Sequence, residues 1–135
     1  MKYLLDSDVV IDFEKSKEPG STFFRKAMEQ KAFMSVISFS EVMYGLLNNS
    51  YSEKFNFFEK ILEDFDINLL SVSKNEVVEF TNLKLSFKKT IIPDFDLLIA
   101  ATAIVNDLTL ITRNLKHFSR IPSLKLFSPK SDNPG

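Results

Sequence analysis

The chain has 135 residues, of which 44% are hydrophobic and 26% are charged, and its formal net charge is −1. This length suits one domain with a real core and is too short for two domains. The near-neutral charge argues against a non-specific nucleic-acid coat protein, which would be strongly basic, but is compatible with a nuclease that carries a local basic rim.

The lack of cysteine and the single histidine exclude several kinds of active site, and the N-terminal sequence and the apolar runs indicate where the protein is located. The chain has no cysteine and one histidine, His117, which excludes disulfides, thiolate metal sites and a His-rich zinc site. The N-terminus reaches the acidic Asp6 too early for a signal peptide, and the most apolar run, 97–105, is too short to span a bilayer. We therefore expect a soluble, cytoplasmic protein.

Apolar runs and helical spacings alternate along the chain. In chain order they predict strand 3–5, helices 9–15 and 22–30, strand 33–37, helices 38–47 and 55–65, strand 67–70, helices 75–88 and 94–106, strand 108–112, a helical turn 114–119 and an edge strand 125–127. Such alternation indicates an α/β fold with a mostly parallel sheet of four to five strands, covered on both faces. We expect one domain over 1–128 and a frayed tail over 129–135.

Several acidic residues have an ordinary role as helix caps. Asp8 can cap the first helix, and Asp94, which follows Pro93, can cap the helix 94–106. Glu41 is the third residue after Ser38, which is the spacing of a capping box. A capping role for Glu41 is compatible with metal binding.

Polar residues follow the ends of the predicted strands. Asp6 comes directly after the first strand, Glu41 comes after the second, and Thr112, Arg113 and Asn114 come after the fourth. In open α/β sheets, ligands bind outside the carboxyl ends of the strands. A carboxylate next to a buried strand also needs a partner, so Asp6 is the strongest candidate for a functional residue.

Asp96 lies in the first turn of the apolar helix 94–106, and sequence alone leaves open which edge of the sheet that turn faces. If Asp96 meets Asp6 and Glu41, the three carboxylates repel one another unless a cation neutralises them. Oxygen ligands without cysteine or histidine select Mg²⁺ or Mn²⁺. Such a site would suit the hydrolysis of a phosphodiester.

A basic run flanks the exit of the fourth strand. It consists of Arg113, Lys116, His117 and Arg120. These side chains could hold phosphates along an RNA strand. The other interpretation, which is more usual for such a run, is a solvated helix face with a structural or surface role for His117.

Four stretches resemble the motifs of one family, the PIN-domain proteins, and in particular the VapC-type toxins of toxin–antitoxin pairs. They are LLDSDVVID (4–12), SVISFSEVMYG (35–45), DLLIAATA (96–103) and LITRNLKHFSRIP (110–122). Each motif is weak alone, but together they follow the family's order and span nearly the whole chain.

The resemblance implies a Rossmann-like three-layer sandwich and an endoribonuclease that depends on Mg²⁺ or Mn²⁺. It places Asp96 in the acidic pocket. Carried over by motif, the metal ligands are Asp6, Glu41 and Asp96, and the supporting hydroxyl positions are Ser7 and Thr112. It also implies homodimers, cleavage of structured RNA at few sequences, and a protein antitoxin that blocks the site, often with a basic side chain.

The closing motif departs from the family pattern. Many members have a fourth acidic residue there, whereas this chain has Asn114 and His117 and no carboxylate from 108 to 120. A second metal position is therefore in doubt. Asn114 can still orient water or bind a metal through its carbonyl oxygen, and Asp8 or Asp94 could compensate.

Two other functions remain open from the sequence. Asp6 and Asp8 after a first strand also resemble the opening of haloacid-dehalogenase phosphatases, in which the first aspartate is the nucleophile, although the threonine that this family has two residues after the second aspartate is Val10 here. The missing fourth acid would also fit a catalytically weak PIN domain with an RNA-binding or regulatory function.

Overall fold

The computed structural model describes residues 1–48, 52–88 and 91–127. The predicted tail 129–135 and residue 128 lie outside this part of the chain. In order, the elements are β1 (Lys2–Leu5), α1 (Ser7–Glu14), α2 (Gly20–Ala27), β2 (Lys31–Ser35), α3 (Val36–Leu47), α4 (Ser52–Asp64), β3 (Asn68–Leu70), α5 (Lys74–Ser86), α6 (Asp94–Val105), β4 (Thr109–Ile111) and α7 (Leu115–Phe118).

The four strands form one parallel sheet in the order β3-β2-β1-β4. The predicted α/β class with a parallel sheet is thus confirmed. The predicted fifth strand, 125–127, is reduced to a single parallel bridge between Leu126 and Leu110. Leu110 makes both of the bridge's hydrogen bonds, one to the carbonyl of Lys125 and one from the N–H of Phe127.

Each face of the sheet carries its own hydrophobic core, which gives three layers. Tyr3 and Leu5 of β1 belong to a core shared with α1, α2, α3 and α4, whereas Leu4 belongs to a second core shared with α5, α6 and α7. This alternation is the two-residue period of a strand that is buried on both sides.

Helix α6 lies centrally, as its apolar sequence predicts. Ile99, Ala100, Ala101 and Ala103 are fully buried. The small residues let the helix pack closely against the sheet and α5. No helix in the described part of the chain combines the length and the apolar character that crossing a membrane would need.

The three predicted caps are wrong. Asp6, not Asp8, caps α1 and accepts a hydrogen bond from the N–H of Ser7 at 2.8 Å. Helix α6 begins at Asp94 itself, and Asp94 forms an ion pair of 3.2 Å with Lys84 instead of capping. Helix α1 begins two residues earlier than the predicted 9–15, whereas α6 begins at the predicted residue, so that Asp94 is its first residue and Pro93 occupies the N-cap position.

The predicted capping box of α3 is absent because this helix, like α1, begins earlier than predicted. Ser35, the last residue of β2, caps this helix by accepting from the N–H of Ile37 at 3.0 Å. Glu41 therefore lies in the second turn of α3 and not just past the strand. This frees its side chain for contacts outside the helix.

Candidate active site

The site is built where β1 and β4 end side by side. The N–H of Asp6 donates to the carbonyl of Ile111 at 3.0 Å, which carries the strand pairing one residue further. The hydroxyl of Thr112, the next residue, lies 2.7 Å from Oδ2 of Asp6. Thr112 is fully buried, and Asp6 is 6% exposed. The ends of β1 and β4 therefore hold the Asp6 carboxylate in a position that is almost inaccessible to solvent.

Asp8, in the first turn of α1, joins this pair. Its Oδ2 atom accepts from the N–H of Arg113 at 3.0 Å and lies 3.2 Å from the Thr112 hydroxyl. That hydroxyl has one proton, so it donates to Asp6 or to Asp8 but not to both. The Oδ1 atom of Asp8 is buried and has no hydrogen-bond partner among the described residues.

Glu41 approaches the same region from α3. Its Oε1 atom lies 3.4 Å from the hydroxyl of Ser7, which places the second turn of α3 against the start of α1. Ser7 is thus a short side chain between Asp6 and Glu41. The family resemblance assigns Ser7 a supporting hydroxyl role, and the Ser7 hydroxyl indeed contacts the carboxylate of Glu41.

Asp96 comes from the first turn of α6, and the structure places that turn at the carboxyl edge of the sheet. Its Oδ2 atom lies 2.9 Å from Nδ1 of His117. The same ring nitrogen is 3.1 Å from Nδ2 of Asn114. Of the closing motif, His117 therefore contacts Asp96 directly and Asn114 contacts His117, although neither residue is acidic.

The buried carboxylates disfavour their charged forms. The pKa of Asp6 is raised from 3.8 to about 7, chiefly by burial and secondly by the negative charge of Asp8. Hydrogen bonds from the Thr112 side chain and the Ser7 backbone act in the opposite direction. Without a cation, Asp6 is therefore only partly ionised near neutral pH.

The other two acids follow the same trend. Burial raises the pKa of Asp8, which the hydrogen bond from the backbone of Arg113 only partly offsets. Burial also raises the pKa of Glu41, and the charge of Asp96 adds to this effect. Glu41 thus lies within electrostatic range of Asp96. We call Asp6, Asp8, Glu41 and Asp96 the acidic cluster.

The acidic cluster suits a hard divalent cation in its chemistry. Its donors are carboxylate oxygens, and the unpartnered Oδ1 atom of Asp8 is a buried acceptor in need of a positive charge. Across the described ranges, no three Asp, Glu or His side chains already stand together as a complete ion-binding group. Mg²⁺ does not require one, because it usually keeps several waters and takes one or two protein carboxylates.

The predicted basic rim divides into three environments. The Nε atom of Arg113 forms an ion pair of 2.9 Å with Oδ2 of Asp12, while His117 lies against Asp96. Lys116 and Arg120 are exposed, as the solvated interpretation expects. Of the structural or surface role that the sequence favours for His117, the surface alternative is wrong, because the ring contacts Asp96.

Sequence reasoning missed Asp12. It is 4% exposed, and its Oδ2 atom also accepts from the N–H of Gly20 at 3.1 Å. The available signal was its place in the opening motif, four residues after Asp8, where α1 presents both side chains on the same face. Its partner Arg113 is remote in sequence, so the contact itself could not be read.

Comparison with known proteins identifies the family. A family model described as the PIN domain matches residues 3–124. Ribonuclease VapC2 of Haemophilus influenzae is 31% identical over 131 residues, which cover 93% of this chain and 96% of that protein.

Two solved structures share the fold. A VapBC-1 structure from nontypeable Haemophilus influenzae has a TM-score of 0.80 at 26% identity and covers 95% of this chain and 98% of that one. A VapBC2 complex from Rickettsia felis, bound to a promoter DNA fragment, has a TM-score of 0.82 at 24% identity and covers 94% and 98%. From the extent of the family match and the identity to a full-length relative, the chain belongs to the PIN-domain family, within the group of the VapC ribonucleases.

Proposed function

We propose that this protein is an endoribonuclease that hydrolyses RNA phosphodiester bonds with Mg²⁺ or Mn²⁺ and acts as the toxin of a toxin–antitoxin pair. Its relatives of comparable length are named as VapC ribonucleases, and its structural neighbours are toxin–antitoxin complexes. Membership of the PIN-domain family removes the support for a haloacid-dehalogenase phosphatase that uses Asp6 as a nucleophile.

One observation carries the metal dependence. Carboxylates from three distant parts of the chain approach one another at the end of the sheet. Burial raises the pKa values of Asp6, Asp8 and Glu41, and the charges of neighbouring carboxylates add to the shifts of Asp6 and Glu41. A protein gains no stability from such an arrangement by itself, because each buried charge costs free energy. A divalent cation would turn this cost into binding free energy.

In this proposal Asp6, Glu41 and Asp96 hold the ion. When bound, the ion neutralises the phosphate and activates water for an in-line displacement. Thr112 and Ser7 orient the carboxylates of Asp6 and Glu41 through the contacts described above.

The closing motif supplies neutral groups at the place of the family's fourth acid. His117 contacts Asp96 and Asn114 contacts His117, and both can donate hydrogen bonds to a phosphate oxygen or hold a water. Asp8 is better placed than Asp94 to compensate, since Asp8 lies in the acidic cluster and Asp94 pairs with Lys84.

The partners follow from the same family. We propose a protein antitoxin, RNA as substrate and a homodimer in the cytoplasm. The antitoxin is supported by the solved toxin–antitoxin complexes that share the fold. The homodimer is supported by exposed apolar side chains on α5 and α6, including Val78, Leu85 and Phe95, each at least half exposed.

Cleavage of total RNA tests the proposal. The native protein, Asp6→Asn and Asp96→Asn would be incubated with RNA in Mn²⁺ or in chelator, with Asp64→Asn, an exposed acid at the end of α4, as the matched control. We expect the native protein and Asp64→Asn to cut in Mn²⁺, and the chelator or either cluster substitution to abolish cutting.

The other outcomes are informative. Equal cutting by all samples would identify a contaminating nuclease. If no sample cuts but the native protein binds RNA, the catalytic proposal is wrong and the protein is an RNA-binding or regulatory PIN domain.

A further inference from the structure

Asp12 is a buried carboxylate outside the acidic cluster. It lies on α1, one turn beyond Asp8, and its side chain is 6% exposed. Its Oδ2 atom accepts from the N–H of Gly20 at 3.1 Å and pairs with Nε of Arg113 at 2.9 Å. One oxygen atom thus joins α1 both to the start of α2 and to the segment that leaves β4.

The hydrogen bond to Gly20 does not explain why this residue is charged. An asparagine could accept from the same N–H without the free-energy cost of burying a charge. Gly20 is adapted to this neighbour, since a Cβ atom at Gly20 would lie 2.3 Å from the Asp12 side chain. Among the described residues, the cation that pairs with the Asp12 carboxylate is Arg113.

Arg113 is held at two points along α1. Its backbone N–H donates to Oδ2 of Asp8, and its side chain pairs with Asp12 one helical turn further on. The guanidinium is therefore fixed about one turn, roughly 5.4 Å along the helix axis, from the acidic cluster. Successive phosphates of a single RNA strand are separated by a distance of the same order.

The guanidinium keeps donors for a ligand. The ion pair uses Nε, the side chain is 44% exposed, and no other ion pair of Arg113 occurs in the described residues. A guanidinium carries four further N–H groups on its terminal nitrogens, in a geometry that matches phosphate. A nucleic-acid strand that approaches four carboxylates needs a cation of this kind next to them.

We propose that Asp12 is a positioning residue, which holds the Arg113 guanidinium beside the acidic cluster so that it binds a phosphate of the RNA strand. This inference rests on the proposed RNA substrate. In this proposal Arg113 contacts the RNA, and Asp12 acts only by positioning Arg113.

Salt-dependent binding of RNA tests this role without cleavage. A fluorescently labelled single-stranded RNA would be titrated with protein in chelator, with every variant in the Asp6→Asn background so that the RNA stays intact. The variants are Arg113→Gln, Asp12→Asn and the double variant. Arg25→Gln is the matched control, because Arg25 also pairs with a carboxylate, that of Glu18, but lies on the exposed face of α2.

We expect Arg113→Gln to raise the Kd at low salt by about tenfold and to reduce the slope of log Kd against log salt by about 0.7, the value for one phosphate contact on a single strand. Asp12→Asn should raise the Kd by about threefold when Arg113 is present and leave it unchanged when Arg113 is replaced, because coupled residues are not additive. Arg25→Gln should change neither the Kd nor the slope.

Two results would overturn the inference. One is an unchanged salt slope in Arg113→Gln, which would make the ion pair purely structural. The other is an equal loss of binding from Asp12→Asn with and without Arg113.

If Arg113→Gln does not fold because Asp12 is left unpaired, the double variant replaces it, since it has no buried charge there. It should show the same reduced slope, and an unreduced slope would refute the proposal. Failure of the proposed nuclease is distinguishable, because it would appear as cleavage that Asp6→Asn does not affect, whatever the binding results.

Discussion

The hydroxyl of Thr112 lies 2.7 Å from Oδ2 of Asp6, although 106 positions separate the two residues in the chain. The contact exists because β1 and β4 are adjacent and parallel, so that the residues that follow both strands share one edge. It links a neutral donor to the carboxylate whose pKa burial raises most clearly. The site is therefore organised around this pair.

Thr112→Val should weaken the acidic cluster without disturbing the sheet. The substitution keeps the β-branched shape but removes the hydroxyl that orients Asp6 and lowers its pKa. Because such supporting residues tune metal binding, we expect Mn²⁺ affinity and RNA cleavage to fall by about 10- to 100-fold. Calorimetric titration with Mn²⁺ and a cleavage assay would measure this. Thr109→Val, at the other end of β4, should leave both quantities near native values.

The metal-free protein should become less stable as the pH rises. The pKa of Asp6 is about 7 in the folded state and 3.8 in the unfolded state, so between these values the folded protein holds a proton that the unfolded chain has released. The free energy of unfolding should therefore fall by about 2 kcal/mol from pH 5 to pH 7 and level off above it. The raised pKa values of Asp8 and Glu41 act in the same direction.

Denaturant titrations in chelator at pH 5, 6 and 7 would measure this trend. Asp6→Asn should flatten it. The lowered pKa of Glu76 has an opposing influence only below the usual glutamate pKa of 4.5, outside this range. A native protein whose stability is constant or rises from pH 5 to pH 7 would contradict the raised pKa of Asp6.

His117→Ala should impair the site more than the exposure of the residue suggests. The ring contacts Asp96 at 2.9 Å, so its loss leaves that carboxylate without its imidazole partner. We expect cleavage and Mn²⁺ affinity to fall by about 10- to 100-fold. Lys116→Ala, at an exposed position on the same short helix, is the control and should lose less than His117→Ala in both assays. Equal effects of the two substitutions would assign His117 to the solvated surface.

The glycines of α2 and α3 should respond oppositely to alanine. In Gly20→Ala the new Cβ would overlap the Asp12 side chain, so we expect a loss of about 1–3 kcal/mol in the free energy of unfolding. In Gly45→Ala the Cβ meets no atom of the described residues within 4 Å, and the position is inside α3, so a gain of about 0.5–1 kcal/mol is expected. Denaturant titration of both variants would measure the two changes in the free energy of unfolding. Changes of the same sign and similar size would refute this prediction.

Much of the fold could be predicted from the sequence, because the spacing of apolar residues and the residues that interrupt helices and strands are local properties. The order of strands and helices, the parallel sheet and the central α6 all follow from apolar patterns within single segments. The position of Asp6 at a strand end was also predictable. The starts of α1 and α3 were not, because each helix follows a strand without a loop: Asp6 comes directly after β1 and Ser35 is the last residue of β2, and each caps the next helix. The pattern of apolar residues does not mark such a direct transition.

The remainder of the site depends on contacts between remote segments. Residue patterns alone left the edge reached by Asp96 open, because it depends on the path of the connection before α6, and only the family resemblance placed it. The pairing of Asp12 with Arg113 and the approach of His117 to Asp96 have no local signature. Both depend on how the segment after β4 lies across the starts of α1 and α6.

Binding of a divalent cation by the acidic cluster is tested most directly by a crystal structure of the protein soaked in Mn²⁺, with anomalous scattering used to locate the ion. We expect an anomalous peak between Asp6, Glu41 and Asp96, with carboxylate oxygens at about 2.1 Å, close to the length of magnesium–oxygen bonds. The peak should be missing in Asp6→Asn crystals. Fully occupied Mn²⁺ elsewhere on the protein, with none among these three residues, would contradict the account.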